Sequence, residues 1–233
     1  MCMSCPPAGR RRFLSLATAG IVASASAFPK ASRAATSLSA DEALAKLKAG
    51  NQRFVSAPQS CEADLAQQRS SVATAQSPWA TILTCSDSRV SPELIFGGAG
   101  LGELFVARNA GNMADTATLG TIEYGAEHLG APLIVVLGHK RCGAVAAACE
   151  VAEKDIKLPG SIGPMVDTIV PAALAVKGQP GDFIDNAVRE SARRTAAKIT
   201  DKSEIVEHLE HQHKVMIVAA YYDLDTGVVE FLS

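Results

Sequence analysis

The sequence predicts an α/β fold: a mostly parallel central sheet of four parallel strands in the order 2-1-3-4, plus a short final strand, flanked by helices and preceded by an N-terminal helical arm. Three observations predict it. The apolar runs at 79–83 and 133–137 are short and unbroken, as in strands covered on both faces. Stretches with helical spacing lie between the strand-like runs, which calls for right-handed crossovers between parallel strands. The run at 215–222 is followed by a turn at 223–227 and a second short run at 228–232, which closes the sheet.

The chain opens on Gly9-Arg10-Arg11-Arg12-Phe13-Leu14, the paired arginines of a twin-arginine (Tat) export signal, and an Ala- and Ser-rich apolar stretch follows over 13–28. Ser32-Arg33-Ala34 offers a small-x-small cleavage site, and the stretch is shorter and less apolar than a spanning helix needs. The expected organisation is a removed signal over 1–34, a helical arm over 35–78 and an α/β domain over 79–233, in a periplasmic protein exported already folded.

Ser39-Ala40-Asp41-Glu42 followed by Ala43, Leu44, Leu47 and Phe54 predicts a capped amphipathic helix with Ser39 as N-cap. A second helix is expected over 64–75, and the two helices can pack on a neighbouring subunit or on their own domain. Ser91-Pro92-Glu93 starts a short helix with proline in its first turn. Gly97-Gly98-Ala99-Gly100-Leu101-Gly102 follows a helix and precedes the strand at 104–107. That is the reverse of the phosphate-binding order, so it reads as a tight connection. Residues 116–129 form a helix stopped by Gly130-Ala131-Pro132. Further helices are expected over 142–153, 162–177, 183–200 and 203–210. His208, His211 and His213 lie at the end of the last of these, where histidines suit a helix C-terminus better than a second metal site.

With 48% hydrophobic and 20% charged residues over 233, the chain can bury one sizeable core. The formal net charge of -2 and the scarcity of aromatic residues exclude a basic, stacking face for nucleic acid. A small substrate fits better.

The first strand ends in Thr84-Cys85-Ser86-Asp87-Ser88-Arg89 and the third in Gly138-His139-Lys140-Arg141-Cys142-Gly143. Ligands in open α/β sheets bind beyond the carboxyl ends of strands, so Cys85, His139 and Cys142 are expected to meet there. Two thiolates and an imidazole suit Zn2+, with the fourth tetrahedral position open as in catalytic sites. The helix that begins at Cys142 turns its positive end toward that point and favours a thiolate. Of the six cysteines, Cys2 and Cys5 leave with the signal, and Cys61 and Cys149 remain, with their pairing open.

The pairing of C-x-D-x-R at 85–89 with H-x-x-C at 139–142 resembles the β-class carbonic anhydrases, as do Phe105-Val106-Ala107-Arg108-Asn109-Ala110-Gly111-Asn112, Ile122-Glu123-Tyr124 and Tyr222-Asp223-Leu224-Asp225-Thr226-Gly227. The resemblance covers about residues 41–233. It implies reversible hydration of CO2 to bicarbonate and a proton by a zinc-bound hydroxide, one zinc per subunit, and a homodimer or dimer of dimers with its active sites at the dimer interface. Cys85, His139 and Cys142 become the metal ligands. Asp87 becomes the acceptor that orients the attacking oxygen, and Arg89 keeps Asp87 ionised. Arg108 and Gly143 fall in the substrate pocket or just behind the ligands. In family members whose aspartate moves onto the zinc, a tryptophan often stands three residues before the first cysteine ligand. Ile82 stands there in this chain, which implies the open form. Many members also carry an Asp-Gln pair where this chain has Gly97-Gly98-Ala99, so a donor to the substrate pocket is missing. That departure leaves room for another small electrophile such as CS2 or COS, and a non-catalytic zinc protein of the same fold is the reading from a different class.

Overall fold

The computed structural model describes residues 36–57 and 65–232, with side chains described from residue 67 in the second segment. The expected export signal and cleavage site, with Cys2, Cys5 and Cys61, lie outside the described residues. Five strands form one sheet in the order β2-β1-β3-β4-β5: β1 (Ala80–Cys85), β2 (Leu104–Asn109), β3 (Leu133–His139), β4 (Met216–Tyr222) and β5 (Val229–Leu232). The first four run parallel and β5 is antiparallel to β4, as the strand patterns predict.

Every residue of β1 and β3 is buried, which is why both read as unbroken apolar runs. Their alternate side chains still sort to two faces. Ile82, Val135 and Leu137 join Leu47, Val90 and Phe96 on one face. Leu83, Ile134 and Val136 join Ile199, Val206 and Leu209 on the other. β2 is an edge strand and is only partly covered along most of its length.

Helix α1 (Ala40–Ser56) begins with the expected capping box between Ser39 and Glu42. It packs on its own domain. Ala43 and Leu47 are wholly buried, and Asn51 donates to the carbonyls of Ile95 and Gly227 while accepting from the Val229 amide. α2 (Leu65–Ser71) and α3 (Pro92–Ile95) follow, then α4 (Thr116–Glu123), which widens into a π-helical turn at Tyr124–His128. Gly125 lets that turn lie against the sheet, because a Cβ there would stand 2.6 Å from Thr81 Oγ1.

α5 (Gly143–Lys154), α8 (Phe183–Lys202) and α9 (Glu204–His211) sit where the sequence patterns put them. The single helix expected over 162–177 is instead two, α6 (Ile162–Asp167) and α7 (Val170–Val176). Pro171 is the reason: it has no N–H to give the preceding turn, and its ring clashes with the carbonyl four residues back, so it serves in the first turn of a new helix. No helix among the described residues is long and apolar enough to cross a membrane.

Backbones approach closely where Gly50 of α1 meets the Phe96-Gly97 peptide, and Gly97 there takes φ +79°. A Cβ on Gly50 would lie 2.1 Å from the Phe96 carbonyl oxygen. Gly50→Ala gains about 1 kcal/mol of helix propensity but meets rigid backbone, and overpacking typically costs about 1–3 kcal/mol. We therefore expect a net loss of about 1 kcal/mol or more, read as a lower urea midpoint at unchanged m value.

Candidate metal centre

The parallel register aligns Thr84 of β1 with Leu137 of β3. One residue further, Cys85 ends β1; two further, His139 ends β3. The chain leaves β1 for β2 on one side and returns to β3 on the other, so the two ends flank the switch point of the sheet, where an α/β fold opens a crevice. Lys140 and Arg141 then turn the chain into α5, with Cys142 as its N-cap residue.

Nδ1 of His139 lies 3.0 Å from the carbonyl oxygen of Lys140. With the proton on Nδ1 donated to that carbonyl, Nε2 keeps its lone pair free. Nε2 is fully buried and has no hydrogen-bond partner. A buried, unsatisfied nitrogen is costly unless something else fills the gap. The ligand atoms of Cys85, His139 and Cys142 all lie within 4.8 Å of one another, and the two sulfurs are 4.0 Å apart. Tetrahedral zinc with bonds of about 2.3 Å to sulfur separates two such ligands by about 3.8 Å, so this trio fits the ion with little movement. Among the described residues it is the one group of this kind, and the histidines at the end of α9 form no second one.

The two thiols are hydrogen-bonded to each other, sulfur to sulfur at 4.0 Å. Cys142 donates to Cys85, and the Gly111 amide adds a hydrogen bond at 3.4 Å, so Cys85 is held well below a thiol's ordinary value while Cys142 is pushed above it. The amides of Val145 and Ala144 at the start of α5 favour the Cys142 thiolate without closing a cap hydrogen bond. A divalent cation bound here would require both cysteines as thiolates, so its uptake would depend on pH. Cys149, one helix face further along α5, is a buried thiol pushed up to about 11 by burial.

Asp87 is only 17% exposed and turns one oxygen inward, with Oδ2 3.8 Å from His139 Nε2. Arg89 grips it from the solvent side: Nε donates to Oδ1 at 2.9 Å, an Nη to Oδ2 at 2.6 Å, and the Arg89 amide to Oδ1 at 2.9 Å. The side-chain hydrogen bonds from Arg89 hold the carboxyl well below the usual carboxylate range, against the opposing effect of burial. Arg108 sits on β2 opposite Thr84 and donates to the carbonyls of Cys85 at 3.0 Å and Asp87 at 2.8 Å. It braces the loop that carries both groups. A Cβ on Gly143 would meet nothing within 4 Å, so space is open over the first turn of α5. Gly97-Gly98-Ala99 forms the turn after α3 and presents no polar side chain.

Two contributors escaped the sequence reading. The Gly111 amide on Cys85 Sγ is a backbone group in a string noted only for its likeness. The pairing of Arg141 with Asp225 spans 84 residues and leaves no local trace.

The family model described as "Carbonic anhydrase" matches residues 80–229. A Mycobacterium tuberculosis protein named Carbonic anhydrase 2 is 38% identical over 182 residues, covering 78% of this chain and 87% of that protein. A Mycolicibacterium smegmatis carbonic anhydrase is 35% identical over 187 residues, covering 80% and 90%. Among solved structures, a Coccomyxa β-carbonic anhydrase in complex with acetazolamide superposes with a TM-score of 0.63 at 26% identity, covering 81% of this chain and 86% of that one. The Aspergillus fumigatus β-carbonic anhydrase CafA gives 0.62 at 25% identity, covering 83% and 90%.

A group whose pKa is depressed in the folded chain stabilises it fully above the unfolded value, about 3.9 for aspartate, and loses that contribution as pH falls. Arg89→Met should therefore lower the urea midpoint of the metal-free chain near neutral pH. The gap to wild type should close as the pH drops below about 4. Stepped-pH urea titrations of both proteins check this.

Proposed function

Because the chain belongs to the carbonic anhydrase family, in its β class, we propose that it catalyses the reversible hydration of CO2 to bicarbonate and a proton, with Cys85, His139 and Cys142 as the zinc ligands and Asp87 and Arg89 as the catalytic pair. The family uses zinc. The observation that carries the reading is His139 Nε2, buried, without a partner, and gathered with two thiols at the mouth of the sheet.

When bound, zinc supplies a Lewis acid that lets water act as a nucleophile toward CO2 near physiological pH. The two thiolates and neutral imidazole leave the site without net charge, so more of the tuning falls on the surrounding residues. Asp87 Oδ2 has a lone pair left after Arg89 has taken its share, and that lone pair would accept a hydrogen bond from the attacking oxygen, which keeps its proton and has its own lone pair turned to the carbon. Because Arg89 keeps Asp87 ionised, the acceptor is ready throughout the ordinary pH range. With both carboxylate oxygens of Asp87 engaged by Arg89, the fourth position of a bound zinc would be left to water, the open form implied by Ile82. Arg108 fixes the carbonyls on either side of Ser86, and Gly143 leaves room for the linear substrate and the bent product.

The working form we propose is a homodimer. β2 is the parallel edge strand of the sheet; Leu101 just before it is 45% exposed, and Tyr124, 43% exposed, lies 6.0 Å ring to ring from Phe105 of that strand. We place the mature protein in the periplasm, delivered folded by the Tat pathway. The arginine run at 10–12 supports this, and loading of zinc before export would keep Cys85 and Cys142 from forming a disulfide in an oxidising compartment.

The purified mature chain should hold about one zinc and accelerate CO2 hydration in a stopped-flow indicator assay. A zinc-replete protein with no rate above background overturns the proposal. Asp87→Asn should keep its zinc and lose about 10- to 100-fold in kcat, while Cys142→Ser should lose the metal itself. Light scattering should give twice the chain mass.

A further inference from the structure

Arg141 stands between two of the proposed ligands, His139 and Cys142, with φ +54°, in the left-handed region that a residue with a Cβ adopts only when its surroundings hold it there. Its side chain shows what holds it. One Nη donates to Asp225 Oδ2 at 2.9 Å and the other to Oδ1, a two-pronged pair. Lys140 adds its ammonium 3.1 Å from Asp225 and 3.2 Å from Asp223. Asp225 is itself fixed, because its amide donates to Asp223 Oδ1 at 2.7 Å in the turn between β4 and β5. With Arg141 so placed, its carbonyl accepts from an Nη of Arg89 at 3.4 Å, and the same Nη is bonded to Asp87 Oδ2.

We propose that Asp225 is a positioning residue for the reaction: it holds Arg141 in the conformation that supports Arg89, and through Arg89 it sets the orientation of Asp87. The inference rests on the role given to Asp87 above. Two effects act in the same direction. The first is geometric: in its left-handed turn Arg141 presents its carbonyl to Arg89. The second is electrostatic. Lys140 and Arg141 are cations on the same loop, and Arg141 repels Arg89 through space. Asp225 lies against both cations and, with Asp223, offsets their charge, which weakens the repulsion on Arg89 and favours its pairing with Asp87. Isolated surface pairs are worth little. This one differs because two cationic side chains converge on one carboxylate and brace a strained residue between two proposed ligands.

The test uses the full mature chain, with Asp225→Ala, Asp225→Glu, Arg141→Gln and the double variant Asp225→Ala with Arg141→Gln. Glu150→Gln, which breaks the exposed Lys154–Glu150 pair on α5, serves as control. Asp225→Ala at one zinc per chain should lower kcat about threefold to tenfold, less than the loss expected for a direct partner. By NMR, in both the zinc-free and loaded chain, it should speed solvent exchange of the Arg89 Nε–H about fivefold or more. Asp225→Glu should restore most of both readouts. Asp225→Ala should add nothing once Arg141 is Gln, and Glu150→Gln should change neither readout. Wild-type kcat and wild-type Arg89 exchange in Asp225→Ala overturn the proposal, as does a loss of kcat that only follows lost zinc or a lowered Tm. Should the wild-type chain fail to hydrate CO2, the activity reading fails, while Arg89 exchange still reports whether Asp225 positions the pair.

Discussion

The parallel ladder between β1 and β3 is the constraint on which the rest of the site depends. It brings Cys85 and His139, 54 positions apart in the sequence, to adjacent strand ends. Both strands are buried on both faces, so a slip of one residue would turn Leu83, Ile134 and Val136 out of one core and into the other. The cores thus hold the register, and the register holds the ligands. Cys142 reaches the same point because only two residues separate it from the end of β3.

Around that fixed point the charges lie in successive shells. The thiols and imidazole face inward, in apolar surroundings that include Val145 and Ile169. Asp87 touches their edge and Arg89 closes over it from solvent. Beyond Arg89, the carbonyl of Arg141 and the carboxylate of Asp225 carry the chain of contacts to the β4–β5 turn. Each group is held by the next one out, so the residue nearest the chemistry has the least freedom to move. Pre-organisation of this kind matters when the substrate is small and offers few handles of its own.

The glycines contribute by removing bulk where backbones must meet. Gly50 and Gly97 let α1 lie against the turn after α3, and Asn51 then ties the helix to two loops. Gly138, one residue before His139, would place a Cβ 2.8 Å from Val188 of α8, so the strand that delivers the imidazole can be covered closely. The same apolar covering keeps water from the back of the ligands.

Much of this was legible from residues alone, because the signals are local. The unbroken apolar runs of β1 and β3, the capping box at Ser39 and the soft donors at two strand ends each report a periodicity or a residue type within a few positions. The chemistry of Cys85, His139 and Cys142 follows from what those side chains are. Only the tertiary structure decided where α1 packs, that Arg108 braces the carbonyls of Cys85 and Asp87, and that Arg141 is held by Asp225. Those contacts span from 21 to 176 positions along the chain. They depend on register and loop direction, which do not exist until the sheet has closed.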